Sequence, residues 1–187
     1  MRPILLATLG LLGVSVLSAG RAQAQPVMDN ATGLAVNPPA GYQARQMPAG
    51  AGQTARIVMR RASDAADTGC MAGFNDAKSL PGTTQAQINA EYEKRDMEAV
   101  AREAIGGIYD VRSTGRFDHA GVHGLLMVAD IRPLPNIPPR SQQVRSMMVM
   151  LDTPKGRTTI VCVGEKAEFD ARLAEYEQVA RSVTPPG

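Results

Sequence analysis

The hydrophobic pattern of the chain starts with one apolar run that has the features of an export signal. Arg2 precedes an uncharged run over Ile4–Val16, and small residues ending in Ala22-Gln23-Ala24 follow it. This order is typical of a cleavable signal peptide, and the run is shorter than the roughly 20 residues of a membrane-spanning helix. We therefore predict that residues 1–24 are removed and that residues 25–187 form a single domain that is periplasmic or secreted.

After this leader, short apolar segments bounded by turn residues alternate with one long polar segment. The apolar segments Gly33–Val36, Arg56–Arg60 and Cys70–Phe74 are each predicted to be a strand. From Thr83 or Thr84 to Ile105 the chain lacks proline and glycine, and its apolar residues recur at helical spacing. Because a threonine can cap its start and Gly106-Gly107 can end it, this segment is predicted to be a long helix.

The second half of the chain is dominated by strand patterns. Two of them, Ile108–Phe117 and Val122–Ile131, flank a turn and predict an antiparallel hairpin. The proline-rich segment 132–140 is predicted to be an exposed, stiff loop. The remaining elements are two strands, Val144–Leu151 and Thr158–Val163, and a terminal helix from about Lys166 to Val183. This order predicts an α+β fold, with a mainly antiparallel sheet packed against two principal helices.

Several short stretches resemble one known family. A glycine-led strand runs into Pro38-Pro39-Ala40-Gly41-Tyr42, and the strand Thr158–Val163 feeds a helix that ends in Ala180-Arg181-Ser182-Val183. With the long helix placed before an antiparallel meander, this layout resembles the PsbP/Mog1-type α-β-α sandwich over most of the mature chain. The resemblance implies a non-enzymatic accessory, assembly or binding protein. The chain has no tryptophan, which such proteins often carry at the position of Tyr42.

Charge narrows the range of partners. The whole chain has 20 basic and 18 acidic residues, but Arg2 and Arg21 lie in the predicted leader, so the mature part has 18 of each. A formally neutral domain lacks the general positive field that attracts nucleic acid. We therefore expect a partner protein or a small ligand, no nucleic acid and no transmembrane anchor after cleavage.

The two cysteines, Cys70 and Cys162, lie in apolar segments of the mature chain. An oxidising compartment makes a disulfide the default for such a pair, so we predict a bridge between them. Two free buried thiols are the alternative. A redox-active pair is disfavoured because the close C-x-x-C spacing is absent.

Three arginines flank the proline-rich loop and form the first candidate site. Arg132, Arg140 and Arg145 are predicted to bind an anionic group or a partner protein, with a merely solvated loop as the alternative. Familiar hydrolase, nucleotide and metalloprotease motifs are absent from the sequence, and no cofactor is expected. The predicted function is an exported, non-enzymatic accessory or binding protein that acts through the sheet surface or through the loop 132–140.

The only histidines suggest the alternative function. Asp118, His119 and His123 are candidate metal ligands for a metal-handling protein or an enzyme. Residues four apart on a continuous strand lie about 13 Å from each other, too far for one ion. Only a turn through Ala120-Gly121 would bring the two imidazoles together, and polar turn histidines are the competing interpretation.

Overall fold

A seven-stranded antiparallel sheet forms the centre of the computed structural model, which describes residues 25–77 and 79–187. The predicted signal peptide lies outside the described residues. In chain order the strands are β1 (Val27–Met28), β2 (Ala35–Val36), β3 (Tyr42–Gln46), β4 (Ala55–Arg61), β5 (Gly69–Asn75), β6 (Tyr109–His119), β7 (Val122–Ile131), β8 (Val144–Thr153), β9 (Gly156–Glu165) and β10 (Val183–Thr184). The helices are α1 (Gln85–Lys94), α2 (Met97–Ile105), α3 (Lys166–Arg181) and a 3-10 turn at Pro139–Gln142.

The large sheet has the spatial order β3-β4-β5-β9-β8-β7-β6, and a small sheet has the order β1-β2-β10. The predicted hairpin is confirmed as β6 and β7, joined at Ala120-Gly121, where both residues have positive φ. The predicted disulfide is also confirmed, because Cys70 of β5 and Cys162 of β9 are register partners and are bonded. The mainly antiparallel α+β fold is therefore as expected.

One face of the large sheet is covered by α3. Phe169, Tyr176, Val179 and Ala180 of this helix are fully buried in the larger core cluster. Alternate residues of the strands supply the rest of that cluster, because successive side chains of a strand point to opposite faces. The small sheet packs into the same layer through residues such as Val36.

The opposite face is covered over only part of its width. Helices α1 and α2 pack on β6, β7 and β8, where Ala101 of α2 meets Leu125, Met127, Ala129 and Met148 in a smaller core cluster. On this side, strands β3, β4, β5 and β9 lie outside the smaller core cluster, apart from Val161 at its border. None of the helices in the described part of the chain combines the length and apolarity of a membrane span.

Several local features differ from the prediction. The terminal helix ends at Arg181 and Val183 begins β10, and the predicted loop 132–140 runs into the 3-10 turn at Pro139. The long helix is broken, because Asp96 caps a new helix by accepting a hydrogen bond from the backbone N–H of Ala99 at 2.9 Å. The predicted cap at Thr84 is present as a capping box with Gln87. The segment Tyr42–Gln46, which the sequence pattern did not mark, forms the edge strand β3 by pairing with β4.

Candidate functional site

Arg140, a predicted binding residue, lies in the 3-10 turn and is held by two carboxylates. Its Nε donates to Asp67 Oδ2 at 2.7 Å, and its Nη1 donates to Glu165 Oε2 at 2.9 Å. The hydrogen bonds from Arg140 hold the pKa of both carboxyls below their usual values. The charge of Arg140 is therefore compensated within the chain.

The other two predicted arginines also have carboxylate partners. Arg145 donates to Asp130 at 2.9 Å and to Asp170 at 3.1 Å, which places it on the α3 face. Arg132 lies 3.4 Å from Asp110 and donates to a backbone carbonyl at the end of α2. An anionic partner would have to displace these ion pairs, and anion binding by the three arginines stays a prediction.

Asp130 anchors the densest of these ion-pair groups. Its side chain is only 4% exposed and contacts Arg145, Arg112 and Lys166. Burial by itself would raise the pKa of this carboxyl, but the hydrogen bonds from Arg145 and Arg112 outweigh burial and hold the pKa below its usual value. These ion pairs around Asp130 connect β7, β8 and the start of α3.

The three candidate metal ligands lie on opposite faces of the sheet and form hydrogen bonds with different residues. His119 Nε2 lies 2.8 Å from the carbonyl oxygen of Val183, beside the α3 layer. Asp118 and His123 are paired across the hairpin, and both contact Arg116 on the opposite face. Within residues 25–77 and 79–187, no group of three or more His, Cys, Asp or Glu is placed to hold a metal ion. The metal-handling or enzymatic alternative stays a prediction.

A cleft of about 640 Å³ lies between α1 and the turn that joins β8 to β9. On its wall the Tyr92 hydroxyl donates to Asp152 Oδ2 at 2.8 Å, and Arg157 donates to both oxygens of Asp152 at 2.7 and 2.9 Å. Burial and the adjacent carboxylate raise the pKa of Tyr92, so the phenol stays neutral. The side chains of Tyr92, Asp152 and Arg157 thus hydrogen-bond to one another, and none of them is an activated nucleophile or base.

The uncovered half of the sheet presents an apolar row. Val58 of β4, Met71 of β5 and Val161 of β9 are direct register partners, so they form one line across three strands. All three side chains are only half-buried. Beyond Val161 the line continues to Met148, which lies beneath the helices. The row thus continues the apolar core beneath α1 and α2 onto the part of the sheet that these helices leave uncovered.

Three arginines border this row. Arg45 is the register partner of Val58 on the edge strand, and Arg56 and Arg60 lie two residues before and after Val58 on β4. We define the open sheet face as Arg45, Arg56, Arg60, Val58, Met71 and Val161. It lines a shallow cavity of about 350 Å³.

The arginines of the open sheet face differ from most others in the described ranges because they have no carboxylate within 4.0 Å. Nine other described arginines form ion pairs. Arg60 donates only to the backbone carbonyls of Asp64 and Ala65. The Nε of Arg56 is buried and has no hydrogen-bond partner. Three of the five described arginines without an ion pair therefore lie on this face, and one carboxylate, Asp67, lines the same cavity.

Glycines contribute to the flatness of the open sheet face. Gly69 and Gly73 lie two residues before and after Met71 on β5, on the same side of the sheet. A Cβ at Gly69 would meet the stem of Arg60, and one at Gly73 would meet the side chain of Gln53. Their missing side chains therefore leave space in which Arg60 and Gln53 lie against the strand. The alternation Arg56, Val58, Arg60 was the sequence signal for this face.

This sheet between α3 and the α1–α2 pair defines the class of fold: the chain has a PsbP-like fold. The solution structure of cyanobacterial PsbP (CyanoP) from Synechocystis sp. PCC 6803 is similar at a TM-score of 0.54, with 16% identity, and the match covers 95% of this chain and 98% of that chain. PA94 from Pseudomonas aeruginosa, a protein of unknown function, matches at a TM-score of 0.41 and 8% identity over 78% of this chain and 83% of that chain. No protein-family model and no curated protein matches this chain.

Proposed function

We propose that this chain is an exported accessory or binding protein that captures its partner through the open sheet face. The observation that carries the proposal is the apolar row Val58, Met71 and Val161, which the helices of residues 25–77 and 79–187 leave uncovered except at the Val161 end, and which arginines without an ion pair border. Contiguous apolar surface with a polar rim is typical of interaction sites. Arginine and methionine are both enriched in protein interfaces.

Two features support export. The segment 1–24 has the order of a signal peptide, and the Cys70–Cys162 disulfide belongs to the oxidising compartments that exported proteins reach. N-terminal sequencing of protein recovered from the extracytoplasmic fraction is expected to begin at Gln25. A chain that still begins at Met1 in that fraction would contradict cleavage.

The proline-rich loop 132–140 is the other surface considered for binding. A partner that binds Arg132 or Arg140 must compete with carboxylates that already hold these side chains. A partner on the open sheet face breaks no ion pair within 4.0 Å and competes only with the backbone carbonyls that hold Arg60. The proposal therefore assigns binding to the open sheet face.

Site-specific photo-cross-linking in the native extracytoplasmic fraction tests this assignment. A photoreactive residue replaces Met71 in the full chain, and a matched control carries it at Ala171, which is exposed on α3. We expect one discrete covalent adduct from position 71 and none from position 171. Both proteins must unfold at the same temperature as the unlabelled chain.

Equal adducts from the two positions would indicate indiscriminate contact and contradict the proposal. Adducts confined to position 171, or no adduct at position 71, would also contradict it. Adding Val58→Thr to the position-71 protein sharpens the result, because threonine keeps the strand-forming shape of valine and removes apolar contact. That variant is expected to give less adduct.

A further inference from the structure

We infer that the partner of the open sheet face is an acidic protein segment in extended conformation, with the order acidic, any, apolar, any, acidic. This inference rests on the proposed function and specifies the chemistry of the partner. Its basis is charge complementarity together with the spacing of the groups along β4. Neither Arg56 nor Arg60 has a carboxylate of the described chain within 4.0 Å, although the charge of Arg60 contributes to lowering the pKa of the more distant Asp67, and Val58 lies between the two arginines.

The positive charges of the open sheet face favour an anionic partner. No carboxylate of the described chain lies within 4.0 Å of Arg45, Arg56 or Arg60, whereas Arg140 alone has two. The Nε of Arg56 has no acceptor in the described chain. A carboxylate paired with the guanidinium of Arg56 would complete the ion-pair pattern that most of the other arginines follow.

The spacing on the face selects an extended segment. Arg56, Val58 and Arg60 recur every second residue of β4, so their side chains stand about 7 Å apart on one side of the strand. An extended peptide places its own alternate side chains at the same interval. Such a peptide lying along β4 can set a carboxylate on each arginine and one apolar side chain on Val58.

The apolar row widens the site across the strands. Neighbouring strands lie about 4.8 Å apart, so Val58, Met71 and Val161 span about 10 Å. This width suits one large aliphatic side chain that contacts all three residues. Met71 at the centre can adapt to the shape of that side chain, because the thioether chain is flexible. Arg45 at the outer end of the row can meet a further carboxylate.

Two other ligand classes fit this face less well. A small molecule is normally enclosed by a pocket that buries most of its surface, whereas this cavity is shallow, its three arginines are spread apart, and Asp67 also lines it. A lipid surface requires apolar groups that project outward. Here Val58, Met71 and Val161 are half-buried and bordered by arginines, so they cannot reach the acyl region.

Fluorescence anisotropy with dye-labelled ten-residue peptides tests the inference on the full mature chain. The probe contains two copies of Glu-Ser-Leu-Ser-Glu, and three control peptides change one feature each. In the first control lysine replaces glutamate, in the second serine replaces leucine, and in the third the same residues are scrambled to Glu-Glu-Leu-Ser-Ser. The probe is expected to bind at least about tenfold more tightly than each control, and its binding should weaken with added salt.

Protein variants identify the site of binding. Arg56→Glu and Arg60→Glu, at the two arginines that the acidic residues of the motif contact, are each expected to weaken probe binding by about tenfold, and Arg45→Glu beside the row by less, because each turns attraction into repulsion. Lys155→Glu makes the same charge change on the exposed β8–β9 turn and is expected to have little effect. If Arg56→Glu lowers the unfolding temperature, Arg45→Glu decides, because Arg45 is exposed on the edge strand.

Several results would overturn the inference. They are equal binding of the lysine, serine or scrambled peptide, equal loss with Lys155→Glu, and binding of phosphatidylglycerol vesicles without binding of the probe. If position 71 still cross-links a partner while the peptides fail to discriminate, the inference falls and the proposed function stands. If neither cross-linking nor peptide binding occurs at this face, both fall.

Discussion

The two helical layers of the sandwich are held in different ways. Helix α3 buries four side chains completely, including the rings of Phe169 and Tyr176. Helix α1 buries no residue, and Ala101 is the only buried residue of α2. Apolar burial thus fixes α3 to its face, whereas the α1–α2 pair rests on the opposite face with little apolar area. Helix α3 is therefore expected to contribute more apolar burial to the stability of the fold than the α1–α2 pair.

Polar contacts substitute for apolar burial under α1. Gln85 donates to the carbonyl oxygen of Asp152 at 3.0 Å, and Asn89 donates to that of Gly121 at 2.8 Å. Each such bond adds only about 1 kcal/mol net, since the same groups bond to water in the unfolded chain. We therefore expect α1 and α2 to open locally at a lower free energy than α3.

The largest effect is expected from a truncation in the α3 layer. Phe169→Ala removes a fully buried ring and leaves a cavity, so it should lower the free energy of unfolding by about 3 to 5 kcal/mol. Urea unfolding followed by circular dichroism measures the change. Tyr176→Phe is the control: its hydroxyl is buried without a hydrogen-bond partner, and its removal should leave stability equal or slightly higher. A loss below 1 kcal/mol for Phe169→Ala would contradict the role given to α3.

The next largest effect is expected at Asp130, which ties α3 to β7 and β8. Asp130→Asn leaves three cations facing a neutral side chain and should cost about 3 kcal/mol at pH 7. The pKa of Asp130 is lowered by folding, so its contribution is present above the unfolded pKa of about 3.9 and is lost as pH falls through the folded pKa. The wild-type and variant unfolding curves should therefore converge at acid pH. Curves that stay equally separated down to pH 2 would argue against this linkage.

The sequence predicted the parts of the fold that depend on local chemistry. The hairpin around Ala120-Gly121, the Cys70–Cys162 bridge and α3 follow from turn residues, from the predicted oxidising compartment and from apolar spacing, respectively. The break at Asp96 was missed because its neighbours are strong helix formers, so only the capping geometry distinguishes it. The edge strand at residues 42–46 was missed because its stability comes from pairing with β4.

The candidate site depended on long-range contacts that a sequence pattern does not contain. Arg140 looked available as a free charge, but one of its carboxylates, Asp67, lies 73 positions away along the chain. The alternation of Arg56, Val58 and Arg60 was visible, yet nothing local indicates that α1 and α2 leave this half of the sheet uncovered. Which arginines are compensated is decided by tertiary packing.

A smaller effect is expected in the α1–α2 layer. Ile105→Ala shortens a half-buried side chain at the end of α2, where the surroundings can relax, so it should cost about 1 kcal/mol. Urea unfolding compares it with Phe169→Ala under the same conditions. If the two truncations cost the same, the two layers are equally packed and the comparison fails.

The smallest effect is expected from Tyr92→Phe, which removes one of the polar contacts of α1. Loss of the hydrogen bond to Asp152 should cost about 1 kcal/mol or less, because Arg157 still satisfies the carboxylate. Hydrogen exchange should show faster exchange in α1 with no change in α3. Equal acceleration in both helices would mean that they unfold as one unit.

Chemical-shift mapping of the isotope-labelled mature chain with the Glu-Ser-Leu-Ser-Glu probe tests the central claim most directly. If the open sheet face is the binding surface, the backbone amides of Val58, Met71 and Val161 shift on titration, and those of α3 stay in place. Shifts confined to the loop 132–140 or to α3, with none on β4, β5 and β9, would contradict the account.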